Sequence, residues 1–448
     1  MRNAIVTALL IGTLGACDSV PSGAVTDCKV SISPSVKTDV LFVVDNSPSM
    51  AEEQANLQTN LDAFVTALKA SPVAQDFHVG VTTPDVTNFS IDTATGMPVR
   101  LTAGPGVAGA LIGNVPAGTP AVLDGASPTF VSDFKARVIV GTGGTGWEQP
   151  FRAMKLALTD RIADGTNAGF LRPGARLAVV FLSDEDDCSD SGPDSGMPPV
   201  INAGPGVTVP NGNLQCHNDN ADGINYKARI DAIAGYQSFL AGLIGGEVRD
   251  LVLAAAVGVD PDLRKATCGW DPSPATANNW CCGSASNSNK CAAGVSADVS
   301  FSVPGGLSGT TYCTGTAVPT TCASGCPTAY DKGDRFADLL SGFPAERALT
   351  ASICSDFGTT LTQLGCMLTP QDFPLEQAPA DARLLVISVQ SNAATIPCTV
   401  DVAGSANEGT ADVVYTPPQG GQPAKLHFQN DCQLTCGQTI DISLICAG

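Results

Sequence analysis

The sequence predicts an α/β protein: a doubly wound, mostly parallel sheet with helices on both faces, a Cys-rich insertion and a small C-terminal all-β module. Three observations predict it. Uninterrupted apolar runs such as Val40-Leu41-Phe42-Val43-Val44 and Leu177-Ala178-Val179-Val180-Phe181-Leu182 lack the alternation of a half-exposed strand, so they read as strands buried on both faces. Helix-period stripes stand between such runs, and strands alternating with helices build a parallel sheet. From about residue 368 the texture changes to short β-type runs separated by Pro/Gly turns, the pattern of an all-β module.

Each element follows in order. The first buried strand stops at Asp45, and Leu57, Leu61, Phe64, Val65 and Leu68 form one helical stripe after it. Phe77-His78-Val79-Gly80-Val81 is the second strand, with His78 expected to be structural. The Gly/Pro-rich stretch 84–128 is long for a connection and is expected to hold short edge strands. Val138-Ile139-Val140 resumes the strand-then-helix pattern, leading into Gly141-Thr142-Gly143-Gly144-Thr145-Gly146 and a helix marked by Trp147, Phe151, Met154 and Leu158. Beyond the 177–182 strand, a Gly/Pro/Asp loop insertion (189–224) precedes a helix through Ile230, Ile233, Leu240 and Ile244, then a strand from Leu251 to Val259. A Cys-rich insertion (262–332) follows, then helical stripes at Phe336 to Leu340 and through Ile353, Phe357, Leu361 and Leu364. The β module (368–448) holds runs at Leu384 to Val389, Cys398 to Val402, Val413 to Tyr415, Lys425 to Phe428 and Ile440 to Cys446.

Composition bounds the function. The chain has 448 residues with 43 acidic against 23 basic side chains, a net charge of −20. With 44% apolar residues and 15% charged it can bury a core, and without a basic cluster it is a poor partner for nucleic acid. The N-terminus has one Arg, an apolar run and Leu14-Gly15-Ala16-Cys17, which reads as a secretory signal (1–16) ending in a bacterial lipobox, with Cys17 as the lipidated residue. Residues 17–35 read as a tether. The protein is therefore expected in a Gram-negative cell envelope, held by lipid to the outer membrane or cell surface, with Asp18 after the lipobox Cys keeping the inner membrane open as the alternative.

Of 17 Cys, Cys17 leaves an even set compatible with disulfides in an oxidising compartment: Cys28, Cys188, Cys216, Cys268, Cys281, Cys282, Cys291, Cys313, Cys322, Cys326, Cys354, Cys366, Cys398, Cys432, Cys436 and Cys446. The pairing cannot be deduced, although Cys398, Cys432, Cys436 and Cys446 would make two staples for a module too small to rely on its core. A zinc cluster is the rival for the crowded segment, but its spacings are irregular.

In an open α/β sheet ligands bind beyond the carboxyl ends of the strands. Three polar segments stand there: Asp45-Asn46-Ser47-Pro48-Ser49, Gly144-Thr145-Gly146 and Ser183-Asp184. In their order and their placement after strands, they resemble the von Willebrand factor type A family, the fold of integrin inserted domains, in its cysteine-rich bacterial lipoprotein type. The resemblance covers residues 36–367 apart from the insertions. It implies a metal-ion-dependent adhesion site (MIDAS) made by Asp45, Ser47, Ser49, Thr145 and Asp184, holding Mg²⁺, or Mn²⁺ or Ca²⁺, and binding a protein or peptide ligand that presents an Asp or Glu.

The residue types suit the ion independently of the family. Mg²⁺ takes six oxygens and is held by one or two carboxylates with neutral oxygens and water. The competing reading is helix capping, since Ser49 with Glu52 and Thr145 with Glu148 both fit a capping box. Capping does not explain Asp45 and Asp184 at the ends of two apolar strands. Glu185, Asp186 and Asp187 are expected to form a solvated acidic rim, with a second ion site as the alternative, and Asn218 to Gly223 begins like an EF-hand but has Arg229 where the bidentate Glu belongs. No HExxH, Gly-x-Ser-x-Gly or P-loop pattern occurs, so a binding protein is expected rather than an enzyme, hydrolases included. The alternative is a disulfide-rich envelope scaffold whose metal is purely structural.

Overall fold

The computed structural model describes residues 29–32, 35–47, 50–86, 88–91, 98–101, 106–144, 148–191, 230–246, 248–258, 300–302, 311–313, 333–353, 355, 357–375, 378–379, 381–391 and 394–445. The signal segment, Cys17, nearly all of the Cys-rich insertion, and Ser49 and Thr145 lie outside these residues, as do Cys28, Cys216, Cys354 and Cys446.

The strands are β1 (Lys29–Ser31), β2 (Ser35–Val44), β3 (Ala74–Thr82), β4 (Asn88–Ile91), β5 (Pro98–Leu101), β6 (Leu123–Asp124), β7 (Ala175–Leu182), β8 (Val248–Val257), β9 (Ser300–Ser302), β10 (Thr311–Cys313), β11 (Ala348–Ser352), β12 (Asp372–Pro374), β13 (Leu385–Gln390), β14 (Thr395–Cys398), β15 (Val400–Val402), β16 (Val413–Thr416), β17 (Lys425–Phe428) and β18 (Thr439–Ile445). The helices are α1 (Ala51–Lys69), α2 (Phe130–Arg137), α3 (Pro150–Leu158), α4 (Asp160–Ala163), α5 (Ile233–Leu243), α6 (Asp334–Ser341) and α7 (Phe357–Met367).

The chain divides into two units, one of residues 36–369 and one joining 370–448 to the stretch up to Ser35. The first is built on a six-stranded sheet in the order β11-β8-β7-β2-β3-β6. β2 pairs parallel with β7, β7 with β8 and β8 with β11, while the short edge strand β6 runs antiparallel to β3. Side chains alternate between two cores. Val40, Phe42 and Val44 of β2 face α1, α2 and α7, together with Val180 of β7, Val252 of β8 and Phe64 and Leu361 of the helices. Leu41 and Val43 face α3, α5 and α6, with Phe181, Leu253, Phe151 and Phe336. Both faces are covered, which is why β2 and β7 show no polar alternation. This is the mixed α/β, mostly parallel architecture expected from the sequence.

Four local expectations are corrected. Val138, Ile139 and Val140 form no strand: Val138 ends the helix α2, and Ile139 is 41% exposed. Helix α2 itself was hidden by the Gly/Pro-rich texture before it. β11 was missed because its residues are only half-buried at the sheet edge, leaving no apolar run. Finally, Lys29–Ser31, within the stretch read as a tether, is a strand paired antiparallel with β18.

The second unit carries two four-stranded sheets, β1-β18-β13-β14 and β12-β17-β16-β15. Cys398 and Cys432 form a disulfide there, and Cys188, Cys366 and Cys436 are also disulfide-bonded. Among the described residues, no helix is long and apolar enough to cross a membrane.

Candidate metal centre

β2 and β7 are the first and fourth strands of the sheet in chain order, yet they are neighbours. The helix after β2 covers one face, and the helix after β7 covers the other. The two connections therefore diverge, opening the crevice where ligands bind in such sheets. Asp45 and Ser183 stand at its lip. Asp45 N donates to Leu182 O at 2.9 Å, and Ser183 N donates to Ala256 O at 3.2 Å, so the sheet ladder fixes both backbones.

Hydrogen bonds then draw three loops together. Asp45 Oδ1 accepts Ser47 N at 2.7 Å, and Oδ2 accepts the Ser183 hydroxyl at 2.5 Å. The Ser47 hydroxyl faces Asp184 Oδ1 at 3.5 Å. Gln54 Nε2 donates to Asp45 O at 2.9 Å and to Gly141 O at 2.7 Å, tying the first loop to the Gly-rich one. Gly144 N donates to Asn46 O at 2.8 Å. A Cβ on Gly144 would meet Asn46 Oδ1 at 2.4 Å and Asn46 O at 2.8 Å, so only glycine lets these loops approach this closely. Gly144→Ala is expected to push Asn46 away and weaken Mn²⁺ binding, read by titration, while far-UV circular dichroism stays unchanged.

Of the five residues expected to hold a metal, Asp45, Ser47 and Asp184 converge and are 1%, 2% and 0% exposed. Sequence reasoning missed what joins them. One oxygen from each of Asp45, Glu148 and Glu185 lies within 4.8 Å of the others, and Asp85 accepts Asn46 Nδ2 at 2.8 Å beside them. Glu148 was visible only as the acid three positions after Thr145 in a capping box. The structure departs from that reading, because Glu148 precedes α3, whose N-cap is Gln149 without a side-chain cap. Its carboxyl is fully buried.

Burial sets the electrostatics. It raises the Asp45 carboxyl from 3.8 to about 6, helped by repulsion from Asp85 and opposed by hydrogen bonds from Ser183 and Ser47. It raises Glu148 well above the ordinary value, with Asp45, Glu185, Asp85 and Asp184 pushing the same way. Several carboxylates sharing one dry site repel each other unless protons or a cation neutralise them.

The expected acidic rim is overturned. Glu185, Asp186 and Asp187 are 6%, 4% and 0% exposed, and the latter two serve the fold. Asp186 Oδ1 accepts Arg335 N at 3.1 Å at the start of α6, and Asp187 Oδ1 accepts Phe151 N at 3.2 Å at the start of α3. Helix N-termini carry unsatisfied N–H groups and positive potential, which draws these carboxylates inward. Arg335 Nε donates to Asp187 Oδ2 at 3.0 Å.

The donor set fits a divalent cation. Carboxylates and hydroxyls are hard oxygen donors suited to Mg²⁺, Mn²⁺ or Ca²⁺, and a buried gathering of acids calls for positive charge.

No protein-family profile matches the chain, and no curated protein does. Among solved structures, the pilus adhesin SpaC from Lactobacillus rhamnosus GG aligns with 92% of this chain and 39% of its own, at 9% identity and TM-score 0.34. Proximal thread matrix protein 1 from the mussel byssus aligns with 52% of this chain and 40% of its own, at 12% identity and TM-score 0.24. Manganese-loaded Plasmodium vivax TRAP protein aligns with 51% of this chain and 61% of its own, at 12% identity and TM-score 0.21. The chain thus spans about two fifths of the adhesin's length. At these scores the likenesses assign no family, and the site rests on its own geometry.

Proposed function

We propose that residues 36–369 form a binding domain of the von Willebrand factor A type, in which Asp45, Ser47, Ser49, Thr145 and Asp184 hold Mg²⁺, or Mn²⁺ or Ca²⁺, with Glu148 and Glu185 beside them. The observation that carries this reading is the convergence of Asp45 and Ser47 with Asp184, which is 137 positions from Ser47, at the switch point of the sheet. When bound, the ion supplies Lewis acidity toward a carboxylate from a protein or peptide ligand. The chain's own part is to hold the oxygens in place: Ser183 and the Ser47 amide orient Asp45, and Gln54 fixes the loop that bears it.

The protein acts in this reading as an adhesion or interaction protein rather than an enzyme, lipid-anchored at Cys17 in the cell envelope. One observation favours a second reading. Glu148 and Glu185 stand within ligand distance of Asp45, so the chain can itself supply the carboxylates that a partner would bring, and the cation would then be purely structural.

Capture of binding partners from envelope extracts should need Mg²⁺ or Mn²⁺, fail in EDTA, and fail in Asp45→Ala and Thr145→Ala. Capture that persists under all these conditions, with the fold intact, rules out adhesion through the ion. A melting temperature that falls in EDTA while capture is unchanged identifies the structural reading.

A further inference from the structure

We propose that Asp76, His78 and Asp124 form a second, solvent-facing site for a borderline divalent cation of the Zn²⁺ class. Strand geometry places the three together. Asp76 and His78 are two apart on β3 and therefore share a face, while Asp124 on β6 lies directly opposite His78 in the antiparallel register. One ligand atom from each lies within 4.8 Å of the others.

Each side chain is steadied by a group outside the trio through one polar atom. His78 Nδ1 lies 3.3 Å from Gly169 O, Asp124 Oδ1 accepts Ala126 N at 2.8 Å, and Asp76 Oδ1 accepts Arg172 Nη1 at 2.8 Å. His78 Nε2 and the second oxygen of each Asp take no hydrogen bond among the described residues. A backbone carbonyl on one ring nitrogen is the usual outer-shell partner of a metal-bound histidine: it fixes the tautomer with the proton on Nδ1 and leaves Nε2 as the donor.

The charge suits a dication. Arg172 also binds buried Asp39, with Nε to Oδ1 at 2.7 Å, so its one guanidinium is shared by Asp39 and Asp76, and Asp124 adds a third carboxylate with no ion pair among the described residues. The donor set is one imidazole and two carboxylates, with the remaining positions open to water. Mixed nitrogen and oxygen donors select Zn²⁺ over Mg²⁺, which prefers oxygen alone. The site is separate from the metal centre, since Asp39 lies six positions before Asp45 on β2, roughly 20 Å away along the strand.

The test uses the full oxidised chain with free thiols alkylated. Zn²⁺ is titrated against a chromophoric chelator for the parent, His78→Gln, Asp124→Asn and Asp45→Asn, with circular dichroism to verify folding and Co²⁺ as a visible-band probe. The expected result is one equivalent that persists in Asp45→Asn and weakens by about tenfold or more in His78→Gln and Asp124→Asn, with His78→Gln also altering the Co²⁺ bands. The site is refuted if folded His78→Gln and Asp124→Asn bind Zn²⁺ like the parent, or if Zn²⁺ binding is lost in Asp45→Asn alone. Because capture through the metal centre is measured separately, either site can fail without the other.

Discussion

Stripped of divalent cations, the protein should melt at a lower temperature at pH 7 than at pH 5, and Mn²⁺ or Mg²⁺ should raise the pH 7 value and narrow that gap. The sign follows from the acids of the metal centre. Burial raises the folded-state Asp45 carboxyl to about 6 against an ordinary 3.8, so the folded state holds a proton that the unfolded chain releases. Stability therefore declines as pH rises from about 4 through about 6, and the full penalty is present above that. The whole shift corresponds to roughly 3 kcal/mol for Asp45, of which about 1.3 kcal/mol falls between pH 5 and pH 7, and Glu148 shifts the same way. Asp381 and Asp412 shift downward, but they are solvated and weakly coupled to folding. A cation does the proton's work at neutral pH, and saturation at a hundredfold over its dissociation constant contributes about 2.7 kcal/mol. Scanning calorimetry with and without chelator at the two pH values checks this. Equal melting temperatures at both values in chelator would show that the acids do not share one dry site.

Asp187→Ala should be the most damaging single substitution outside the two cores, with a cost of about 3–5 kcal/mol in urea unfolding. Asp187 is 0% exposed and holds the Phe151 amide, the Ser189 hydroxyl at 2.5 Å and the Arg335 guanidinium at 3.0 Å. Truncation strands Arg335, whose side chain is only 12% exposed, as an unpaired cation. Replacing both partners removes that burden, so Asp187→Ala/Arg335→Leu should be less unstable than Asp187→Ala alone. The same substitution should weaken Mn²⁺ binding, because the segment bearing Asp184 and Glu185 is pinned at Asp186 and Asp187 to the starts of two helices. A double variant as unstable as the summed singles would show that the pair is uncoupled.

The elements legible in the sequence were those whose burial is two-sided and continuous. β2, β7 and α1 could be read directly because every residue of their apolar faces meets a core. β11 and α2 could not, since one is a half-buried edge and the other follows a Gly/Pro-rich stretch. Asp45, Ser47 and Asp184 were legible from their position just past such strands. Glu148 was not: its spacing from Thr145 matched a capping box, and only its distance to Asp45 distinguishes a site acid from a cap. The run at 184–187 misled for a related reason. Four consecutive acids look solvated in sequence, yet two are drawn inward by helix N-termini.

The sequence by itself determined the alternation of buried strands and helices, and with it the crevice where polar residues gather, because apolar periodicity is a local property that needs no partner to be read. Only the tertiary structure decided which acids share the dry site, which ones cap helices, and that Asp76, His78 and Asp124 meet across an edge. Those outcomes depend on distances between residues far apart in the chain and on the burial that neighbouring elements impose, and neither is written in local sequence.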